Sequence, residues 1–168
     1  GLTYTRAYAN GRRSIDGVPA ILAAMPKLME DAFINSPAAD VPFTSLANVL
    51  AAEGYATSFF HGGRNGTMGF DTFTRSAGYQ RYVGQDDYPN AADNDGIWGI
   101  RDEPFLQYFA KDMNNMPQPF HSTVFTLSSH HPYHLPEKDA HRFAAGTMPI
   151  HPTPVSYTHL TLPTKRIV

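Results

Sequence analysis

After Ser14, apolar side chains fall at Ile15, Val18, Ile21, Leu22 and Met25. That three- and four-residue spacing predicts one helix face, with Ser14 as N-cap and Pro26 as the stop. Leu46, Val49 and Leu50 repeat the spacing behind Thr44, a candidate N-cap, and Gly54 ends the stretch. Tyr55 to Phe60 is a short apolar run that halts at His61-Gly62-Gly63, the pattern of a strand running into a turn. Residues 64–99 are rich in Gly, Asn and Asp and predict a loose region. A third helix is predicted from Asp102, read as N-cap, with Glu103 and Pro104 in its first turn and Phe105, Leu106 and Phe109 on one face. Pro117 and Pro119 separate it from a second strand over His121 to Leu127. Helix and strand alternate, and each strand ends in a loop bearing Gly or His. The pattern is that of one incomplete α/β layered domain.

Composition narrows this picture. A chain of 168 residues suits one domain with a real core, and 42% apolar with 17% charged residues marks it as globular rather than disordered. A net charge of −2 without a basic cluster argues against nucleic acid as a partner. There is no cysteine, which excludes disulfides and thiolate metal sites. The longest apolar run, Ala20 to Met25, is too short to span a bilayer, and no signal peptide is visible. The chain opens at Gly1 without an initiator methionine, so the start of a longer protein is expected to be missing. Val155 to Thr164 reads as a translated transposase sequencing adapter. Residues 155–168 are therefore expected to be a non-native tail, leaving 1–154 as the partial domain.

Candidate chemistry gathers in three places. Val124 to Leu127 is an apolar run that delivers Ser128, Ser129, His130 and His131 before Pro132 forbids a helix. The end of a buried strand is where ligand sites form in sheets flanked by helices. Ser14 sits at a predicted helix start, where free N–H groups and the helix dipole favour an alkoxide or a bound anion. Arg12 and Arg13 beside it suit a phosphate or sulfate. An ordinary Ser cap with exposed arginines is the commoner explanation of such a segment. His61 precedes two glycines that let backbone approach a ligand. A zinc site from His130, His131 and His134 is disfavoured, because ligands at that spacing need a helix that Pro132 blocks. Asp71, Asp86, Asp87, Asp93 and Asp95 are expected to solvate the loose region, and Trp98 to pack in core or loop.

Arg6 to Gly17, Gly54 to Gly63, Gly69 to Phe73, Trp98 to Phe105 and Thr126 to Tyr133, in that order, resemble the catalytic domain of the lipoteichoic acid synthase-like branch of the sulfatase/alkaline phosphatase superfamily. The resemblance runs from Gly1 to about Pro154. It implies a layered fold with a mostly parallel sheet between helices. It also implies metal-assisted phosphoryl transfer in which a Thr or Ser hydroxyl on a divalent metal attacks a phosphodiester. The metal the resemblance implies is Mn²⁺ or Mg²⁺, with Zn²⁺ or Ca²⁺ less favoured. Ser14 falls at the nucleophile position and, by the same resemblance, would be a metal ligand. Its remaining partners, an acidic residue from an earlier strand and an Asp-His pair from a later one, are expected outside this chain. This polypeptide alone is thus expected to be inactive. His61 and His130 match substrate-pocket histidines, and Arg13 is a further candidate for substrate binding.

Met68 and Phe70 stand where the lipoteichoic acid synthases carry a Trp and an Arg, which puts a glycerol phosphate substrate in doubt. Ser14-Ile15-Asp16-Gly17-Val18 lacks the Pro and Arg of the formylglycine motif, which disfavours a true sulfatase. The implied partner is an anionic lipid or glycan of the cell envelope. The parent is expected to be anchored in the membrane through a missing N-terminal region, with an extracytoplasmic catalytic domain. Competing readings are a phosphodiesterase or sulfuric ester hydrolase of the same superfamily, a non-catalytic anion- or glycan-binding remnant, and a Ser-His hydrolase built from Ser14 and His130. The last lacks a nucleophile elbow.

Overall fold

The computed structural model describes Arg6, residues 10–132 and Pro136. His134 and the 155–168 tail, both subjects of sequence expectations, lie outside the described residues. The described elements are α1 (Ser14–Ala23), α2 (Leu46–Ala52), β1 (Ala56–His61), α3 (Phe70–Ser76), β2 (Arg81–Val83), α4 (Asp102–Met113) and β3 (Phe120–Phe125), with short 3₁₀ turns between them.

The three strands form a parallel sheet in the order β2-β1-β3. Strand β1 is central because its apolar run is buried on both faces, which only the middle of such a sheet allows. Successive side chains of a strand point to opposite faces, so β1 splits the core in two. Phe59 joins Ile15, Val18 and Leu22 of α1, Ala47 of α2 and Phe70 and Phe73 of α3. Phe60 joins Val83, Ile100 and the α4 residues Phe105 and Phe109. The sheet is therefore sandwiched between α1, α2 and α3 on one side and α4 on the other. This confirms the α/β layered class with helices flanking a parallel sheet.

Several boundaries move from their expected places, each for a local reason. The N-cap of α1 is Arg13, in extended conformation, and Ser14 is the first helical residue. Ser45, not Thr44, caps α2, because its hydroxyl and the Asn48 side chain close a reciprocal capping box. Within the region expected to be loose, α3 and β2 are both formed. Helix α3 is held by Phe70, Phe73 and Thr74, buried at helical spacing. Asp102 is not the cap of α4 but its first residue, after Arg101.

The Asp102 side chain does something else. Its Oδ1 accepts the Leu127 N–H at 2.6 Å, while its own N–H donates to Ser128 Oγ at 2.9 Å. Helix α4 is thereby tied to the segment that leaves β3. A charged acceptor makes that tie strong. Asp102→Ala should lose about 2 kcal/mol in urea unfolding, and Asp102→Asn, which keeps an acceptor oxygen, should lose clearly less. Equal losses for the two would show that the acceptor oxygen itself contributes nothing to the tie.

Candidate active site at the carboxyl end of the sheet

Residue His61 ends β1, and Phe125 ends β3 beside it in register. Both side chains point to the α1 side of the sheet. There the imidazole stacks on Phe125, with ring centroids 5.0 Å apart, and meets the edge of Phe70 at 5.4 Å. A cavity of about 190 Å³ opens at this edge. Its lining comes from α1 (Ser14), β1 (His61), the turn into α3 (Thr67, Met68, Phe70), Trp98 and, from the end of β3 onward, the stretch from Phe125 to Leu127 with Ser129 and His130. Parallel sheets place ligands at this edge, outside the carboxyl ends of strands that cross over to opposite sides.

Three separate stretches of sequence thus bring Ser14, His61 and His130 to one cavity. Ser14 sits in the first turn of α1, where backbone N–H groups lack helical partners. Arg13 does not line the cavity. Its guanidinium lies on Asp16, Nε to Oδ2 at 3.3 Å, and the arginine side chain is largely exposed. The hydrogen bond from Arg13 holds the Asp16 carboxyl below its usual value, with Lys27 adding to the effect.

His61 is 1% exposed, and its buried Nε2 has no hydrogen-bond partner among the described residues. Its Nδ1 lies 3.3 Å from the Tyr82 hydroxyl. Burial pushes the imidazole down to about 4, so the ring is neutral at physiological pH. Gly63 is packed against it: a Cβ there would stand 2.6 Å from His61 Cε1. A buried nitrogen without a partner is costly unless a ligand completes it.

Trp98 was expected to pack in core or loop. It sits in a loop, where it also lines the cavity with its ring 4.0 Å from that of His130. The signal that could have found it is its place beside Asp95, whose Oδ1 accepts the N–H groups of Ile97, Trp98 and Gly99 and so fixes the turn. Asp93 likewise accepts from Tyr88 and Asn90, and Asp87 from Gly84. These aspartates build the loops they were expected only to solvate. Met68, at the cavity wall, adopts a left-handed backbone with φ 52°. Among the described residues no group of three His, Cys, Asp or Glu could hold a metal ion.

The sequence model of the Sulfatase family matches residues 1–158. The chain belongs to the Sulfatase family. Within it, the chain is 30% identical over 100 residues to the lipoteichoic acid synthase-like protein YvgJ of Bacillus subtilis, covering 60% of this chain and 16% of that protein. It is 30% identical over 99 residues to lipoteichoic acid synthase 1 of the same organism, covering 58% and 16%. The chain therefore spans about 16% of the length of these curated relatives. Among solved structures, an alkaline phosphatase superfamily protein from Vibrio parahaemolyticus superposes with a TM-score of 0.74 at 30% identity, over 86% of this chain and 36% of that one. The lipoteichoic acid synthase LtaP of Listeria monocytogenes superposes with a TM-score of 0.67 at 15% identity, over 79% and 33%, and supports the fold. The resemblance read from the five motifs is thus the family found by comparison.

Proposed function

We propose that this Sulfatase-family chain is part of the catalytic domain of a phosphotransferase acting on an anionic lipid or glycan of the cell envelope. The observation that carries this reading is the convergence of Ser14, His61 and His130 on one cavity at the sheet's carboxyl edge. The similarity to lipoteichoic acid synthase-like proteins supplies the reaction class. Ser14 Oγ gives up its proton and forms a new P–O bond, the bond to the leaving alcohol breaks, and the leaving oxygen takes up a proton in its place. An acceptor hydroxyl then displaces the phosphoryl group from Ser14 and restores the serine. The α1 N-terminus favours negative charge on the phosphoryl oxygens. His61, neutral through burial, offers a ring nitrogen without adding a cation, and His130 is the proton carrier of the pair.

A divalent metal, Mn²⁺ or Mg²⁺, would lower the hydroxyl's pKa and neutralise developing charge. The described residues offer it Ser14 and do not complete a site, so no step here is routed through it. Membrane anchoring and an extracytoplasmic position are proposed for the parent protein. No helix among the described residues is long and apolar enough to cross a membrane.

The test uses the full-length parent with a radiolabelled phospholipid donor. Wild type should trap phosphoserine at Ser14, and Ser14→Ala should lose activity by about 10³-fold or more. Product released mainly to water would replace the transferase with a hydrolase. Unchanged turnover in Ser14→Ala would sink the nucleophile assignment.

A further inference from the structure

We propose that Trp98 is a positioning residue for His130, selecting through the His131 carbonyl which ring nitrogen faces the cavity. The indole Nε1–H donates to the His131 carbonyl oxygen at 2.7 Å. His130 Nδ1 lies 2.8 Å from the same oxygen. A carbonyl carries no proton, so Nδ1 is the protonated nitrogen of that contact. In the neutral ring, Nε2 then holds the lone pair and is the atom left for a ligand in the cavity that His130 lines.

The indole also lies against the imidazole, with centroids 4.0 Å apart and planes at 52°, which limits rotation of the ring. Trp98 is in turn fixed from behind. Asp95 Oδ1 accepts its backbone N–H at 2.7 Å, and Gly99 next to it bridges to Gly63, two residues beyond His61. The turn from Asp95 to Gly99 therefore braces both histidines of the site. His61 presents a nitrogen without a partner among the described residues, and His130 presents a lone pair chosen by Trp98. Its catalytic meaning rests on the phosphotransferase reading: a lone pair at Nε2 suits His130 to take the proton of an incoming acceptor hydroxyl. The geometric inference stands or falls independently of that reading.

The experiment is nitrogen-15 NMR on the whole chain labelled at histidine, before and after Trp98→Phe, which keeps a ring but removes the N–H donor. Wild-type His130 should show a protonated Nδ1 and a lone pair on Nε2. In Trp98→Phe the His131 carbonyl is no longer held and can turn from the ring, so the ratio of the two tautomers should fall about fivefold, the worth of the Nδ1–H bond to that carbonyl, while the His61 signals stay in place. A general loosening of structure would move both histidines.

A wild-type His130 protonated at Nε2 overturns the proposal without any variant, as does an unchanged ratio in Trp98→Phe. Trp98 is the single tryptophan of the chain, so its emission gives a second measurement. His130→Gln should raise that emission by removing the imidazole against the indole. Unchanged emission would show that the rings do not meet in solution, and the proposal fails. Loss of phosphotransfer in the parent with the wild-type tautomer intact would refute the functional reading and leave this inference standing.

Discussion

Gly99→Ala is expected to destabilise the fold by about 3–5 kcal/mol, the sum of a strained backbone and disrupted bridge hydrogen bonds. Gly99 sits at φ 150°, in a region that side chains avoid, and a Cβ there would stand 2.1 Å from the Gly62 carbonyl oxygen. The obstruction is backbone, so no rotamer change relieves it. To fit, the Gly63–Gly99 bridge must part, and the Ile100 N–H, now 2.8 Å from Gly62 O, loses its acceptor. Urea unfolding should show the midpoint falling with little change in slope. Gly54→Ala is the control: φ is also positive, at 84°, but a Cβ there meets nothing within 4 Å. It should lose only about 1 kcal/mol, the cost of the backbone conformation alone. Similar losses at both positions would mean that crowding against Gly62 is absent. Because Trp98 precedes Gly99, the same substitution should also disturb the indole emission.

The second large effect is an acid-dependent loss of stability that passes through His61. Burial lowers its folded-state value to about 4 from the ordinary 6.5. As pH falls, the unfolded chain therefore takes up this proton first, and unfolding is favoured. The stability that the neutral ring contributes is complete above about pH 6.5 and is lost between there and pH 4, about 3 kcal/mol in all. His121, also lowered by burial, declines in the same direction below pH 6.5, so the total decline exceeds the His61 share, whereas Asp16, held low by Arg13, loses its contribution only below its ordinary 3.8. His61→Phe isolates that share. Unfolding free energies of wild type and variant, measured at pH 7 and at pH 4.5, should show the variant declining less steeply. Parallel declines would mean that His61 is charged or solvated in the folded protein.

Much of the fold was legible because long apolar periods report burial directly. Leu22, Phe59, Phe60, Phe105 and Phe109 all lie in the core, and all belonged to runs with a clear period. Helix α3 and strand β2 escaped because each is short and set among Gly, Asn and Asp. Strand β2 is only three residues, of which Val83 alone is fully buried, too few to show alternation. The cap errors at Ser14 and Thr44 are shifts of one residue. Such a shift is decided by whether a side chain closes a hydrogen bond, as Ser45 does with Asn48. Ser14, His61 and His130 were legible as candidates, and the structure brings them to one cavity. Trp98 was not legible as their neighbour. The Asp95 turn that orients it is local, but its place in the site depends on the Gly99 bridge to Gly63, a contact between segments that no local pattern encodes. Arg13 read as an anion ligand from its place before Ser14, but Asp16, three residues on, captures its guanidinium.

The two-sided packing of β1 has a consequence for how this chain can tolerate insertions and deletions. Phe59 and Phe60 serve opposite layers, and His61 follows Phe59 by two residues, on the same side. One residue gained or lost within the strand would exchange the two layers and turn the imidazole away from Ser14. Length changes at the exposed turn around Arg64 to Gly66 carry no such penalty. An insertion there would lie at the rim of the cavity and reshape its opening without moving the histidine beneath it.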